Sequence, residues 1–146
     1  MTAGNDLAAA RVRQLIRLTE DLTDRLINET RAFESRRPQD VAAGMAETQE
    51  MANTYRRESA QLKASPAALA DAPAADRMAL IAATQAFEAV LARHGRAVEA
   101  ARVISEGLVR AIAEEMAAAR PPASAYGASG AAAPGDGRAV TLNRTA

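Results

Sequence analysis

Apolar residues recur at alternating spacings of three and four through most of this chain. From Ala8 the stripe runs Val12, Leu15, Thr19, Leu22, Leu26, Glu29 or Thr30, and Phe33. Such alternation marks a helical seam facing other helices. Ile16, Leu18 and Ile27 widen it to the broad face of a bundle helix. This predicts a first helix over about 6–35, capped by Asn5 or Asp6. Arg36-Arg37-Pro38 breaks it, because proline disfavours helical geometry in the residue before it. A second helix over 38–64 follows, with Pro38 and Asp40 in its first turn. Its stripe of Val41, Met45, Thr48, Ala52, Tyr55, Ser59 and Leu62 is weaker, since several positions are small or polar. The break is short, so these two helices should form an antiparallel hairpin.

Ser65 to Asp76 reads as a loop with room for one helical turn, started at Ser65 before Pro66 or at Asp71 before Pro73. The third helix, over 74–120, is longer than either neighbour. Its stripe runs Leu80, Thr84, Phe87, Leu91, His94, Val98, Ala101, Ser105, Leu108 and Ile112, and Pro121-Pro122 ends it. At 1.5 Å per residue it spans about 70 Å, against about 40–45 Å for each of the others. In an antiparallel three-helix bundle it draws level with the first turn near Ala100 after about 40 Å. Past that point lie Val103, Ile104, Leu108, Val109, Ile112 and Met116. Each is worth about 1.5–3 kcal/mol when fully buried, so this row is the expected partner-binding face. Gly95 and Gly107 interrupt the helix, each at a cost of about 1 kcal/mol relative to Ala. They serve either close helix packing or bending of the distal half.

The fold class expected is therefore all-α, an antiparallel three-helix bundle over 1–120 with an overlong third helix. Residues 121–146 are expected to be a disordered tail, since Ala123–Arg138 is rich in Ala, Gly, Ser and Pro. The mildly apolar 139–146 reads either as a docking peptide or as an uninvolved terminus.

Composition narrows the function. Two Phe, two Tyr and no Trp leave Ala to supply much of the 49% hydrophobic content. That suits narrow helix seams rather than a wide core. Eighteen basic residues balance 18 acidic ones, giving a net charge of +0. With aromatics this scarce, nucleic-acid binding is disfavoured. No cysteine is present, so there is neither a disulfide framework nor thiolate chemistry. A lone histidine, His94, lies on the seam; without Cys or a Glu-x-x-His pair it makes no ordinary zinc or di-metal site. No catalytic, cofactor-binding or metal site is expected, and no enzyme. The chain shows no signal-peptide core and no span of transmembrane length, so no membrane insertion and a cytoplasmic location are expected.

The run LINETRAFESRRP from Leu26 to Pro38 and the run ARHGRAVEAARVISEGLVRAIAEEM from Ala92 to Met116 carry a resemblance to a known family. With three amphipathic helices, the last longest, and the tail, the chain resembles the FlgN-type flagellar export chaperones. Pro121-Pro122, Tyr126-Gly127 and Leu142 to Ala146 are similar to alphaproteobacterial members. The chain departs from many members at His94-Gly95, where they carry Asn, and at Gln49-Glu50, where a Lys is common. The resemblance implies a cytoplasmic chaperone for hook–filament junction proteins, which are flagellar axial proteins. It would bind their C-terminal helical segments through its own last helix and deliver them to the flagellar export apparatus. The alternative is a self-associating structural or regulatory coiled coil of the basal body, with the same face buried in a homodimer.

Overall fold

The computed structural model describes residues 2–120; Met1 and the expected tail, 121–146, lie outside them. The described residues are almost entirely helical and contain no strand. Four α-helices follow in order: α1 (Thr2–Glu34), α2 (Met45–Ala64), α3 (Pro66–Asp71) and α4 (Ala74–Ala119). The chain divides into two units, Met1–Val103 and Ile104–Ala146.

In the first unit α1, α2 and the proximal part of α4 form the three-helix arrangement. Arg11 bonds Gln61 and Arg25 bonds Thr48, so α1 and α2 are antiparallel. Arg13 pairs with Asp76 and Glu34 with Arg93, so α1 and α4 run parallel. Tyr55 stacks against Phe87 across α2 and α4, with ring centroids 4.8 Å apart.

The α1 stripe is the spine. Ala8, Val12, Leu15, Thr19, Leu22, Leu26, Glu29 and Thr30 are all buried, and Phe33 is half-buried. Two buried clusters hang from it. Val12 and Leu15 meet Leu62 and Ala72 at one end, and Leu22 and Leu26 meet Phe87 nearer the other. The threonines are tolerated in this core because Thr19, Thr23 and Thr30 each donate a hydroxyl hydrogen to the carbonyl four residues back, at 2.6–2.7 Å.

Two boundaries differ from expectation. Helix α1 starts at Thr2, so Asn5 and Asp6 lie inside it and do not cap it. Helix α2 starts at Met45 and not at Pro38; 38–40 and 42–44 form two 3-10 turns. Nothing in either turn is buried, so packing does not draw them into an α-helix, and Gly44 opposes one. The loop after α2 carries a full short helix, α3, whose Ala68 and Leu69 cover the Val12–Leu15 cluster. Arg77 closes its end by donating to the carbonyls of Ala70 and Ala72.

The α1 C-terminus is a Schellman motif. The Arg37 amide bonds the Ala32 carbonyl at 2.8 Å and the Arg36 amide bonds that of Phe33 at 3.1 Å. This geometry puts Arg36 at φ 58°, where a side chain costs about 1–2 kcal/mol. Arg36→Gly is expected to raise stability by about 1 kcal/mol, read as a higher urea midpoint at unchanged slope. A lower midpoint would show that the arginine side chain contributes more than its backbone strain costs.

Candidate functional site

The residues expected to bind a partner are all on α4 and all exposed. Val103, Ile104, Leu108, Val109, Ile112 and Met116 keep between 48% and 69% of their surface. Val103 is the last residue of the first unit; the other five belong to the second. At about 100° per residue, Ile104, Leu108, Ile112 and Met116 advance about 40° at each step and form one stripe, with Val109 at its edge. Val103 lies about 100° around the helix from Ile104, off that stripe. It shares the charged side with Glu99, whose carboxylate accepts two hydrogen bonds from Arg102 at 2.6 and 3.0 Å. Those bonds hold the Glu99 carboxyl below the usual range.

Neither glycine of α4 serves close packing among the described residues. A Cβ added at Gly95 or Gly107 would meet no atom within 4 Å. What remains is their conformational cost, which weakens the helix on either side of the stripe's start.

The seam of α4 within the first unit departs from the expected one. Leu80, Phe87, His94 and Ala101 are at least partly buried, as the heptad pattern required. The companion positions, however, are Ala83, Val90 and Ala97; Thr84 is half-buried as expected, but Leu91 and Val98 are exposed. Leu91 stays 46% exposed. The unused shoulder opens two adjoining cavities between α2 and α4, of about 450 and 430 Å³, both lined by Tyr55 and Arg56. Leu80 and Thr84 line one, and Phe87, Leu91 and Met45 line the other. Sequence reasoning missed this groove. The exposed Met45 and Leu91 signal it, but the heptad pattern assigns both to the seam.

At the α1 C-terminal end a polar node joins three helices. The Glu29 carboxylate is buried and accepts a hydrogen bond from the Thr48 hydroxyl at 2.7 Å. His94 Nε2 lies 3.3 Å from the other Glu29 oxygen, but out of line for a hydrogen bond. The His94 ring meets Phe33 edge-on at 6.2 Å, as a seam residue would. Arg25 reaches the same place, donating to Thr48 and pairing with Glu47. Beside it, Arg93 donates twice to the Glu34 carboxylate, at 2.7 and 2.8 Å. The Arg93 hydrogen bonds hold the Glu34 carboxyl below its ordinary value against partial desolvation, helped by the charges of Arg93 and Arg96. The pair's contribution is therefore present above the ordinary carboxylate range and fades as pH falls through Glu34's lowered value. Both side chains are substantially exposed, so water screens it.

This node fastens α1, α2 and α4 together. No group of three or more His, Cys, Asp or Glu among the described residues is placed to hold a metal ion. None of the described helices is long and apolar enough to cross a membrane. The arrangement leaves two apolar surfaces open: the stripe of α4 and the α2–α4 groove.

Among curated proteins, the chain is 49% identical over 139 residues to the flagellar basal-body protein FlbY of Caulobacter vibrioides, covering 93% of each chain. No protein-family model matches the chain, and no solved structure does.

Proposed function

We propose a flagellar role because the chain belongs to the family of the flagellar basal-body protein FlbY. Within that role the reading we favour is an export chaperone of FlgN type. It works in the cytoplasm, holds a C-terminal helical segment of a hook–filament junction protein, and releases it to the flagellar export apparatus. It is a binding protein and not an enzyme.

The carrying observation is the stripe Ile104, Leu108, Ile112 and Met116, exposed on a helix. An amphipathic helix recognises such a surface by laying its own apolar anchors along it at i, i+4 spacing. Glu115 lies beside the stripe, and Arg110 and Glu114 charge the opposite side of α4. They keep the uncovered face soluble and set the direction of a docking helix.

The test mixes the full chain with the C-terminal helical segment of a hook–filament junction protein from the same bacterium. Light scattering after size exclusion should give a 1:1 complex, and the chain alone a monomer at micromolar concentration. A chain that is already a dimer and takes up no segment would overturn the chaperone reading. It would instead establish the self-associating coiled coil, with the same stripe buried between two copies.

A further inference from the structure

We infer that the α2–α4 groove seats a fourth helix, an amphipathic one from a partner protein, acidic along the edge that meets α2. This seat is separate from the stripe of α4 and does not rest on its reading. The groove reaches down to the spine: Leu15 lines one cavity, and Leu22 and Leu26 line the other. With α2 and α4 side by side over α1, the trough between them is the position a fourth helix takes in a four-helix bundle. Both walls are helices, so the shape that interlocks with them is another helix, its side chains entering between theirs. The two cavities also follow one another at a helical period. Along α4 one is flanked by Leu80, Thr84 and Glu88 and the other by Phe87, Leu91 and His94. Their centres are therefore about seven residues, or about 10.5 Å, apart. Two large apolar anchors at i and i+7 share one face of a helix and fall at that distance.

Charge says which helix. The α2 wall carries Arg56 and Lys63, again a heptad apart, and the α4 wall carries Glu88. All three are exposed. Lys63 and Glu88 form no ion pair among the described residues, and Arg56 bonds only Asn53 on its own helix. The complement is a helix with two carboxylates at i and i+7 along one edge and a basic residue on the other, the arrangement of flanking charges in a coiled coil. Reversing such a helix would set its carboxylates against Glu88, so the walls also fix its direction. Met45 and Leu91, 42% and 46% exposed, are the large apolar side chains it covers.

The probe that tests this is a synthetic helical peptide of about 18 residues, about 27 Å long, which matches the α2 wall. It carries leucine anchors at i and i+7, a glutamate pair at i and i+7 on one edge and a lysine on the other. A comparator has lysine in place of both glutamates. By fluorescence anisotropy with the full chain, the acidic-edged peptide should bind about tenfold more tightly than the comparator at low salt, and added salt should shrink the difference. In the chain carrying Arg56→Glu and Lys63→Glu the preference should reverse. Leu91→Asp should weaken the acidic-edged peptide by about tenfold or more, whereas Leu108→Asp with Ile112→Asp should leave it within about twofold. Equal binding of the two peptides, or binding of neither, would overturn the inference. So would a loss confined to the stripe variant. A dimer of the chain alone that Leu91→Asp dissociates would place a second copy in the groove and overturn it as well. No junction segment enters these measurements, so the chaperone reading stands or falls apart from them.

Discussion

Replacing Leu108 and Ile112 together by aspartate should abolish partner binding while the first unit stays folded. The two side chains are neighbours on the stripe, 59% and 48% exposed in the free chain. Covering them in a complex contributes about 1.5–3 kcal/mol each when complete. Aspartate removes that gain and adds a carboxylate that must be desolvated without a partner. A loss of about 3–6 kcal/mol corresponds to a 10²- to 10⁴-fold weaker complex. In calorimetry, a micromolar complex becomes undetectable. Neither residue belongs to the buried clusters. The urea midpoint of the bundle should therefore stay within the ±0.5 kcal/mol typical of surface substitutions. Undiminished binding by the double variant would move the partner site elsewhere, with the α2–α4 groove the next surface to test.

Physical chemistry decides which features could be read ahead of the structure. The α1 spine was legible because large aliphatics alternate with small and polar residues in one unbroken pattern from Ala8 to Thr30, and every position of it is buried. The seam of α4 was half legible. Leu80, Phe87, His94 and Ala101 are seven residues apart, and two alternations of three and four fit them equally well. One adds Thr84, Leu91 and Val98, which favours large side chains. The fold takes the other beyond Thr84, through Val90 and Ala97 in place of Leu91 and Val98. Phe87 brings α4 onto Leu22 and Leu26, and the larger Leu91 is left lining a groove. Hydrophobicity ranks Leu91 above Ala97, whereas the side of α4 that faces α1 ranks them the other way.

The second helix shows the opposite error. Pro38 and Asp40 are sound helix-starting residues, but local signals start a helix only where packing sustains it. Residues 38–44 include no fully buried side chain, and the chain there makes two tight turns before Met45. Glu29 shows a third kind of limit. The stripe placed it at the seam, where a carboxylate is costly. Only the fold shows that Thr48 from α2 and His94 from α4 meet it there. Such a buried polar tie fixes which helices meet and in what register more than it adds stability.

Phe87→Ala should be the most damaging single change to the bundle. Phe87 is 7% exposed and is the large α4 residue in the buried cluster with Leu22 and Leu26. Tyr55 stacks on it from α2, so one ring meets both other helices. Truncating a buried phenylalanine costs about 3–5 kcal/mol. Small domains have only about 5–15 kcal/mol in total, and an alanine-rich seam has little other apolar bulk to fall back on. With a urea slope of about 2 kcal/mol/M, the midpoint should drop by about 2 M. Ile81→Ala provides the contrast on the same helix. Ile81 is 57% exposed and outside both clusters, so its loss should stay within about 0.5 kcal/mol. Hydrogen exchange adds the spatial readout. In the Phe87 variant, protection should fall first along 80–97 of α4, while α1 and α2 keep theirs through the Val12–Leu62 cluster and the Arg25–Thr48 contact. If Phe87→Ala costs no more than Ile81→Ala, α4 is held by Glu34–Arg93, Arg13–Asp76 and the Glu29 node instead. High salt would then loosen it as strongly as the lost ring does.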